Sequence, residues 1–528
     1  MMNILLKQLA QVNAQERVSS ILINYVFKNA SNKWFVRMII PAIFIQLIVF
    51  KYFYPYAGFI NGDSYAYLET AYHNLSINTY PVGYSMFLRL LSVFTKSDTV
   101  LVVFQYLLLQ GSVLFLVFTI FYFYKPARFT KILLLVCSLF NPVFLYLANY
   151  VSSDAFFLSL SLIWFAQLIW IIHYADIRLV VANAIILFLA FTVRYNALVY
   201  PIISVLAFLL SKHKNIGKIV GMALGIALIG LFVSFTSNKY HKLSGYYQFS
   251  PFTGWQLANN AMYAYRYVDS AHVKKAPKKL QYLDKMVRNY FDTTRDITKH
   301  PEETLMASTV YMWAPNSPLQ LYKKYMFKTD STAPELKKWS VAAPVMAAYG
   351  SFLMKAYPGE FIKYYLIPNA VKYYAPPVEF LDSYSTGVDS VQPIAQSWFG
   401  YKTNKLKTRT KDYKVHVLDF YPVLTGVMNV VFFFGIISFL FLEGHKQQLE
   451  LRRGITLVAG VWLLNLGFSV FASSIALRFQ LFPIIISFSF SFLLVEFLIR
   501  SAIGNGIKRD LEVDVLIDAS TPGDNQVL

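Results

Sequence analysis

Long apolar runs without a charge constrain this chain more than any other feature of its sequence. Residues 99–124 contain no acidic or basic side chain, and similar runs recur through the first half of the chain and again near its end. About 20 apolar residues suffice to cross the ~30 Å hydrocarbon core of a bilayer as a helix. Since each helix makes its backbone hydrogen bonds internally, the runs predict a polytopic α-helical membrane protein.

The composition agrees with that fold class and excludes others. The chain is 56% hydrophobic and only 14% charged, whereas soluble domains carry about 25% charged residues. Its mean hydropathy is +0.45, so a series of soluble domains is excluded. Aromatic residues reach 17%, which excludes a disordered chain.

The net charge is +20, from 48 basic and 28 acidic residues. In a membrane protein such an excess is typical of basic flanks beside anionic lipid, and it therefore does not predict a nucleic-acid partner. The one cysteine cannot form an intrachain disulfide.

The apolar runs predict ten transmembrane helices, which follow a cytoplasmic amphipathic segment at residues 1–37. The predicted spans are residues 38–56, 99–124, 132–153, 155–172, 179–193, 195–211, 219–238, 421–442, 454–477 and 479–495.

Basic residues near the span ends predict the orientation, because short cytoplasmic loops are enriched in lysine and arginine. The loops after the second, sixth and eighth spans are basic, as is the C-terminal tail. We therefore expect a multi-pass protein of the plasma (inner) membrane with both termini inside. The expected regions are an N-terminal transmembrane module at 38–238 with a first outer loop at 57–98, a soluble periplasmic or extracytoplasmic domain at 239–419 between spans seven and eight, C-terminal helices at 420–499 and a cytoplasmic tail at 500–528.

Four charged residues lie at the predicted outer ends of the spans, where no loop explains them: Asp63, Asp154, Arg194 and Arg478. Each has an ordinary explanation, since acids cap helices and arginines anchor span ends. Together they are two acids and two arginines at one depth. Such a set suits a site that binds an anionic lipid phosphate and accepts a hydroxyl proton.

Asn259 and Asn260 begin the outer domain and form a polar patch suited to sugar hydroxyls, although helix capping explains them equally well. The histidines and acids show no zinc-site spacing, so the sequence predicts no metal ligand.

Five short motifs occur in the order found in one family: GDSY at 62–65, YPVGYSMF at 80–87, SDAFF at 153–157, RYNALVYP at 194–201 and RFQLFP at 478–483. With them the chain resembles the GT-C glycosyltransferases, which include protein O-mannosyltransferases and lipid A aminoarabinose transferases. The resemblance extends from residue 38 to about residue 500. It departs from the family at Asp63, because many relatives carry a pair of acids there.

The resemblance implies an enzyme, a glycosyltransferase that moves a hexose or pentose from a polyprenyl-phosphate donor to an acceptor hydroxyl, with inversion, on the outer face of the membrane. It implies that Asp63 is the catalytic base, that Arg194 and Arg478 bind the donor phosphate, and that Asp154, Asn259 and Asn260 bind or orient the acceptor. The single acid leaves dependence on a divalent metal open, and no other cofactor is implied. The expected partners are the lipid-linked donor, a glycolipid, glycan or protein acceptor and membrane lipids.

Three alternatives remain at this point. A non-catalytic receptor or assembly scaffold would tolerate the loss of Asp63. A ligase or polymerase that moves a whole lipid-linked glycan would have the same architecture. A transporter or flippase also needs polar groups at membrane depth, although its charges or broken helices typically lie near the membrane midplane.

Overall fold

The computed structural model describes residues 18–304, 308–410, 412–472 and 475–520. These residues are mainly helical, with only isolated β-bridges and no strand. The predicted class, a multi-pass helical membrane protein, is confirmed because eight described helices are long and apolar enough to cross a membrane. They are Ala30–Phe53, Asp98–Tyr124, Arg128–Asn149, Ser153–His173, Asn215–Ser244, His416–Phe441, Leu449–Ala472 and Leu477–Gly504.

All ten predicted spans fall on apolar helices. The fifth and sixth correspond to the shorter helices Ile177–Val193 and Tyr195–Leu210, which are separated by the extended residue Arg194. The structure thus has eight described helices long enough to cross a membrane. The number of ten spans stays a prediction.

The chain ends differ from the predicted boundaries. A short helix, Val18–Phe27, precedes the first long one, and Asn29 caps the latter by accepting hydrogen bonds from the backbone of Ser31 and Asn32. The long helix therefore begins inside the predicted amphipathic segment 1–37, whose residues 1–17 lie outside the described part. At the other end the last helix, Leu477–Ser520, continues into the predicted tail, and residues 521–528 also lie outside the described part.

The third span is interrupted. Helix Arg128–Leu139 ends, and helix Pro142–Asn149 begins where the Asn141 side chain accepts a hydrogen bond from the Val143 amide. Proline has no amide hydrogen and fits the first turn of a helix, so the Asn141-Pro142 pair starts a new helix within the apolar run.

Helix Ser153–His173 is the central span. Its apolar window is 89% buried, the highest value among the long helices, and it packs against Asp98–Tyr124, Ile177–Val193 and Tyr200–Leu210. Asp154 at its first turn therefore lies where several spans meet.

The long connecting segment, predicted as one domain at 239–419, contributes to two apolar cores. Residues from Trp255 to Tyr365 form a core of their own, whereas Leu381, Trp398 and Leu418 pack into the core of the spans. The later part of the segment thus lies against the first loop and the span ends. Its α-helices are Pro251–Tyr265, Gln281–Thr294, Val310–Trp313, Pro318–Met326, Glu335–Ala356, Pro358–Phe361, Ile367–Tyr374 and Pro393–Phe399.

Candidate functional site

The four charged residues singled out in the sequence contact one another at one end of the spans. Arg478 donates from Nη1 to Asp154 at 3.0 Å and from Nη2 to Asp63 at 2.9 Å. Arg194 donates from Nη1 to the other Asp154 oxygen. We call these four residues the arginine–carboxylate cluster.

The cluster has a buried half and a rim. The side chains of Arg478 and Asp154 are only 4% and 1% exposed, whereas those of Asp63 and Arg194 are 21% and 16% exposed. The two positive and two negative charges cancel, which lowers the cost of removing them from water. A ligand from solvent or lipid would therefore reach Asp63 and Arg194 first.

The backbone at Gly62 and at Ser152 positions the two acids, Asp63 and Asp154. Gly62 has a φ of +87°, a conformation that favours glycine, and Asp63 follows it as the first residue of helix Asp63–Tyr72. Ser152 caps helix Ser153–His173 by accepting a hydrogen bond from the Asp154 amide. The carboxylate of Asp154 is therefore not the cap, and it binds the two arginines instead.

Arg478 lies at the start of the last helix, and aromatic rings contact both arginines. The Leu477 amide donates to the Pro377 carbonyl at 2.8 Å, which ties this helix start to the long connecting segment. The Arg478 guanidinium lies 4.3 Å from the ring centres of both Phe380 and Phe479, and that of Arg194 lies 4.6 Å from Phe479. Planar guanidinium groups stack well on such rings.

Two tyrosines of the first loop complete the site, and sequence reasoning gave them no role. The Tyr67 hydroxyl lies 2.9 Å from the Ser153 hydroxyl. Tyr80, in the motif at 80–87, is half-buried beside Asp63. Its removal from water and the Asp63 charge raise the pKa of the Tyr80 phenol well above its ordinary value, so the hydroxyl keeps its proton. It is a hydrogen-bond donor next to the acid.

Comparison of the chain with models of protein families, with curated proteins and with solved structures finds no match.

Asn259 and Asn260 lie in the long connecting segment and are fully buried. Asn259 donates to the Ser308 carbonyl and accepts from the Met312 amide, while Asn260 donates to the Phe471 carbonyl at 3.1 Å. Their amides connect backbone segments. In this arrangement neither side chain offers a surface to an acceptor.

The cluster does not have the donor set of a metal site. Both of its acids face guanidinium groups, which occupy the position that a cation would take. The described residues bring together one trio of potential metal ligands, His300, Glu302 and Glu303, in the long connecting segment. Within that trio Glu303 is already bound to Arg266 at 2.6 Å.

Proposed function

We propose that this protein is a membrane-embedded glycosyltransferase that moves a sugar from a polyprenyl-phosphate carrier to an acceptor hydroxyl on the outer face of the membrane. The observation that carries the proposal is the contact among two arginines and two acids from four distant parts of the chain. Guanidinium groups bind phosphate and stabilise it as a leaving group, and a carboxylate accepts a proton. A site at the ends of the spans also suits a donor whose polyprenyl chain lies in the bilayer.

In this proposal the donor phosphate takes the place of a carboxylate. Arg194 lies on the rim and meets the phosphate first, and Arg478 then exchanges Asp63 for a phosphate oxygen. Before the donor binds, the two arginines are paired with the two acids. Each arginine that turns to the phosphate therefore breaks a contact with a carboxylate oxygen. Donor binding thereby frees the Asp63 oxygen that Arg478 holds in the unliganded arrangement.

The freed Asp63 is the general base. The acceptor oxygen forms a bond to the anomeric carbon as the bond from that carbon to the phosphate oxygen breaks, and the electron pair leaves with the polyprenyl phosphate. The acceptor proton passes to the Asp63 carboxylate. Attack opposite to the phosphate inverts the anomeric centre, while the arginines balance the charge of the departing phosphate. Asp154, held between the arginines, positions them.

The test compares cells that lack the chain with cells complemented by wild type, Asp63→Asn or Glu69→Gln. Glu69 lies in the same helix as Asp63 but is exposed, so its variant makes the same chemical change outside the cluster. Mass spectrometry of envelope glycolipids and glycoproteins should reveal a glycan that wild type and Glu69→Gln restore. Asp63→Asn should reduce it by roughly 10² to 10⁴, the usual contribution of a general base.

Purified Asp63→Asn should bind polyprenyl phosphate at least as tightly as wild type, because a neutral amide competes less for Arg478. The proposal fails if no glycan depends on the wild-type protein. It also fails if Asp63→Asn, present in the membrane at the wild-type amount, retains more than about a tenth of the product.

A further inference from the structure

A polar cavity lies at the opposite end of the spans from the arginine–carboxylate cluster. Helix Ser153–His173 connects the two, with Asp154 in its first turn and His173 as its last residue. At 1.5 Å per residue these residues are roughly 30 Å apart along the helix axis, about the thickness of the hydrocarbon core. The cavity therefore belongs to the other membrane surface and is separate from the proposed active site.

This cavity has a volume of about 740 Å³, within the range of small-molecule sites. We call it the basal cavity. One wall comes from the N-terminal pair of helices, Val18–Phe27 and Ala30–Phe53. The others come from the ends of four further helices and from the loops that contain Lys125, Tyr174 and Lys212. Its lining includes Tyr25, Asn32, Tyr122, Lys125, His173 and Lys212.

The basal cavity has an excess of positive charge. Lys125, Lys131 and Lys212 line it, and among the residues that the structure describes none of the three forms an ion pair. Its one lining acid, Glu450, is already engaged by His173 at 2.8 Å and by Arg453 at 3.3 Å. Three unpaired lysines around one cavity favour an anionic ligand.

His173 supplies a second, independent indication of a ligand. Its side chain is only 5% exposed, and its Nδ1 contacts Glu450. Its Nε2 is buried and has no hydrogen-bond partner in the described part of the chain. A buried polar atom without a partner destabilises the fold, because it has given up its hydrogen bonds to water. A ligand bound in the cavity that His173 lines would supply a hydrogen-bond partner for Nε2.

The remaining walls suit an amphiphile. Tyr25 packs edge-on against Tyr122, and the His173 ring stacks on Phe123 at 4.2 Å. Helix Val18–Phe27, whose Tyr25 lines the cavity, also leaves the apolar side chains of Ile23 and Phe27 exposed. Apolar side chains at the end of a span lie at the level of lipid headgroups, with the acyl chains on the membrane side.

We propose that the basal cavity binds the phosphate headgroup of an anionic phospholipid. The three lysines contact the headgroup, and the exposed apolar face of the N-terminal helix pair contacts the acyl chains. The shared chemistry is a phosphate with net negative charge, so inorganic phosphate is the soluble alternative that the experiment has to separate. This inference does not depend on the proposed function.

Basic residues are common at a cytoplasmic membrane surface without any specific site, and the control is chosen for that reason. The test variant is Lys125→Gln, Lys131→Gln and Lys212→Gln together. The matched control is Arg128→Gln, Lys214→Gln and Arg452→Gln, which removes the same charge from the same end of the molecule at residues that do not line the cavity.

The full chain, purified in detergent, is titrated with short-chain phosphatidylglycerol, short-chain phosphatidylcholine and inorganic phosphate, and bound ligand is counted by native mass spectrometry. At roughly fivefold per lysine lost, the triple cavity variant should bind phosphatidylglycerol roughly 100-fold more weakly than wild type. The control should change by less than about twofold, and phosphatidylcholine should bind more weakly than phosphatidylglycerol.

Equal loss in the cavity variant and the control overturns the site, since it would reflect only general surface charge. Inorganic phosphate binding as tightly as phosphatidylglycerol overturns the assignment to a lipid. The melting temperature of each variant is measured first. If the triple variant does not fold, the single variant Lys212→Gln is compared with Lys214→Gln by the same titration.

Discussion

Arg478 joins the two acids of the arginine–carboxylate cluster, because its two terminal nitrogens bind different carboxylates. Its Nε is also buried, without a partner among the described residues. Arg194, by contrast, forms an ion pair with one acid among the described residues, Asp154, and lies on the rim. The family resemblance assigns both arginines to the donor phosphate. Their contributions to the stability of the folded protein should nevertheless differ.

Arg478→Ala should destabilise the protein by ~3 to 5 kcal/mol, the typical cost of leaving a buried charge without its partner. Arg478→Lys should restore little, because one ammonium group cannot reproduce a fork that binds two carboxylates. Arg194→Ala should lose less stability while still weakening the binding of polyprenyl phosphate. Unfolding in detergent and a lipid-binding titration measure the two effects.

Equal destabilisation by the Arg194 and Arg478 variants would contradict the division of the cluster into a buried half and a rim. Unchanged affinity for polyprenyl phosphate in Arg194→Ala would reassign that residue to a purely structural role.

At the scale of elements, the first loop is held against the span ends by a close backbone contact. Helix Gly83–Ser92 begins at Gly83, and a Cβ there would lie 2.6 Å from the carbonyl carbon and oxygen of Thr192. Thr192 lies two residues before Arg194. The packing of the motif at 80–87 thus fixes the position of an arginine of the cluster.

Gly83→Ala should force these two elements apart. The free energy of unfolding should fall by ~1 to 3 kcal/mol, which is typical of overpacking. The glycan product should fall by more than the amount of folded protein does. The matched control is Gly111→Ala in helix Asp98–Tyr124, where a Cβ meets no atom within 4 Å. Alanine there should be neutral or stabilising by up to about 1 kcal/mol.

Melting temperature and product per folded molecule distinguish the two glycine variants. If Gly83→Ala behaves like Gly111→Ala in both measurements, the contact with Thr192 does not set the position of Arg194.

At the scale of the whole molecule, the cluster and the basal cavity lie at opposite ends of the spans. The basic loops of the sequence predict that the cluster faces outward. The proposed function depends on that prediction, because nucleotide sugars are confined to the cytoplasm and an outward-facing site would use a lipid-linked donor. The orientation is therefore the property of the whole molecule that most affects the proposed function.

Single cysteines in a Cys137→Ser background test the orientation. Thr332→Cys is in the long connecting segment and Gln447→Cys is in the basic loop before helix Leu449–Ala472, and both positions are exposed. A membrane-impermeant maleimide should label residue 332 in intact cells and residue 447 only after permeabilisation. The reverse pattern would turn the cluster to the cytoplasm and remove the reason for a polyprenyl-phosphate donor.

The sequence by itself determined the membrane class, and each of its ten predicted spans falls on one or two apolar helices of the structure. Burial of a helix in lipid depends on the length and composition of one continuous segment, so the local sequence is sufficient. It also identified Asp63, Asp154, Arg194 and Arg478, because charges at span ends are costly and therefore conspicuous.

Only the tertiary structure decided how these residues are used. The pairing of Arg478 with Asp63 joins positions 415 residues apart, and Phe380 reaches the same guanidinium from the long connecting segment. Local periodicity contains no information on such contacts. Helix packing also decides that Asn259 and Asn260 are buried and that three lysines meet at the basal cavity. That packing follows from the shapes of side chains across the whole molecule.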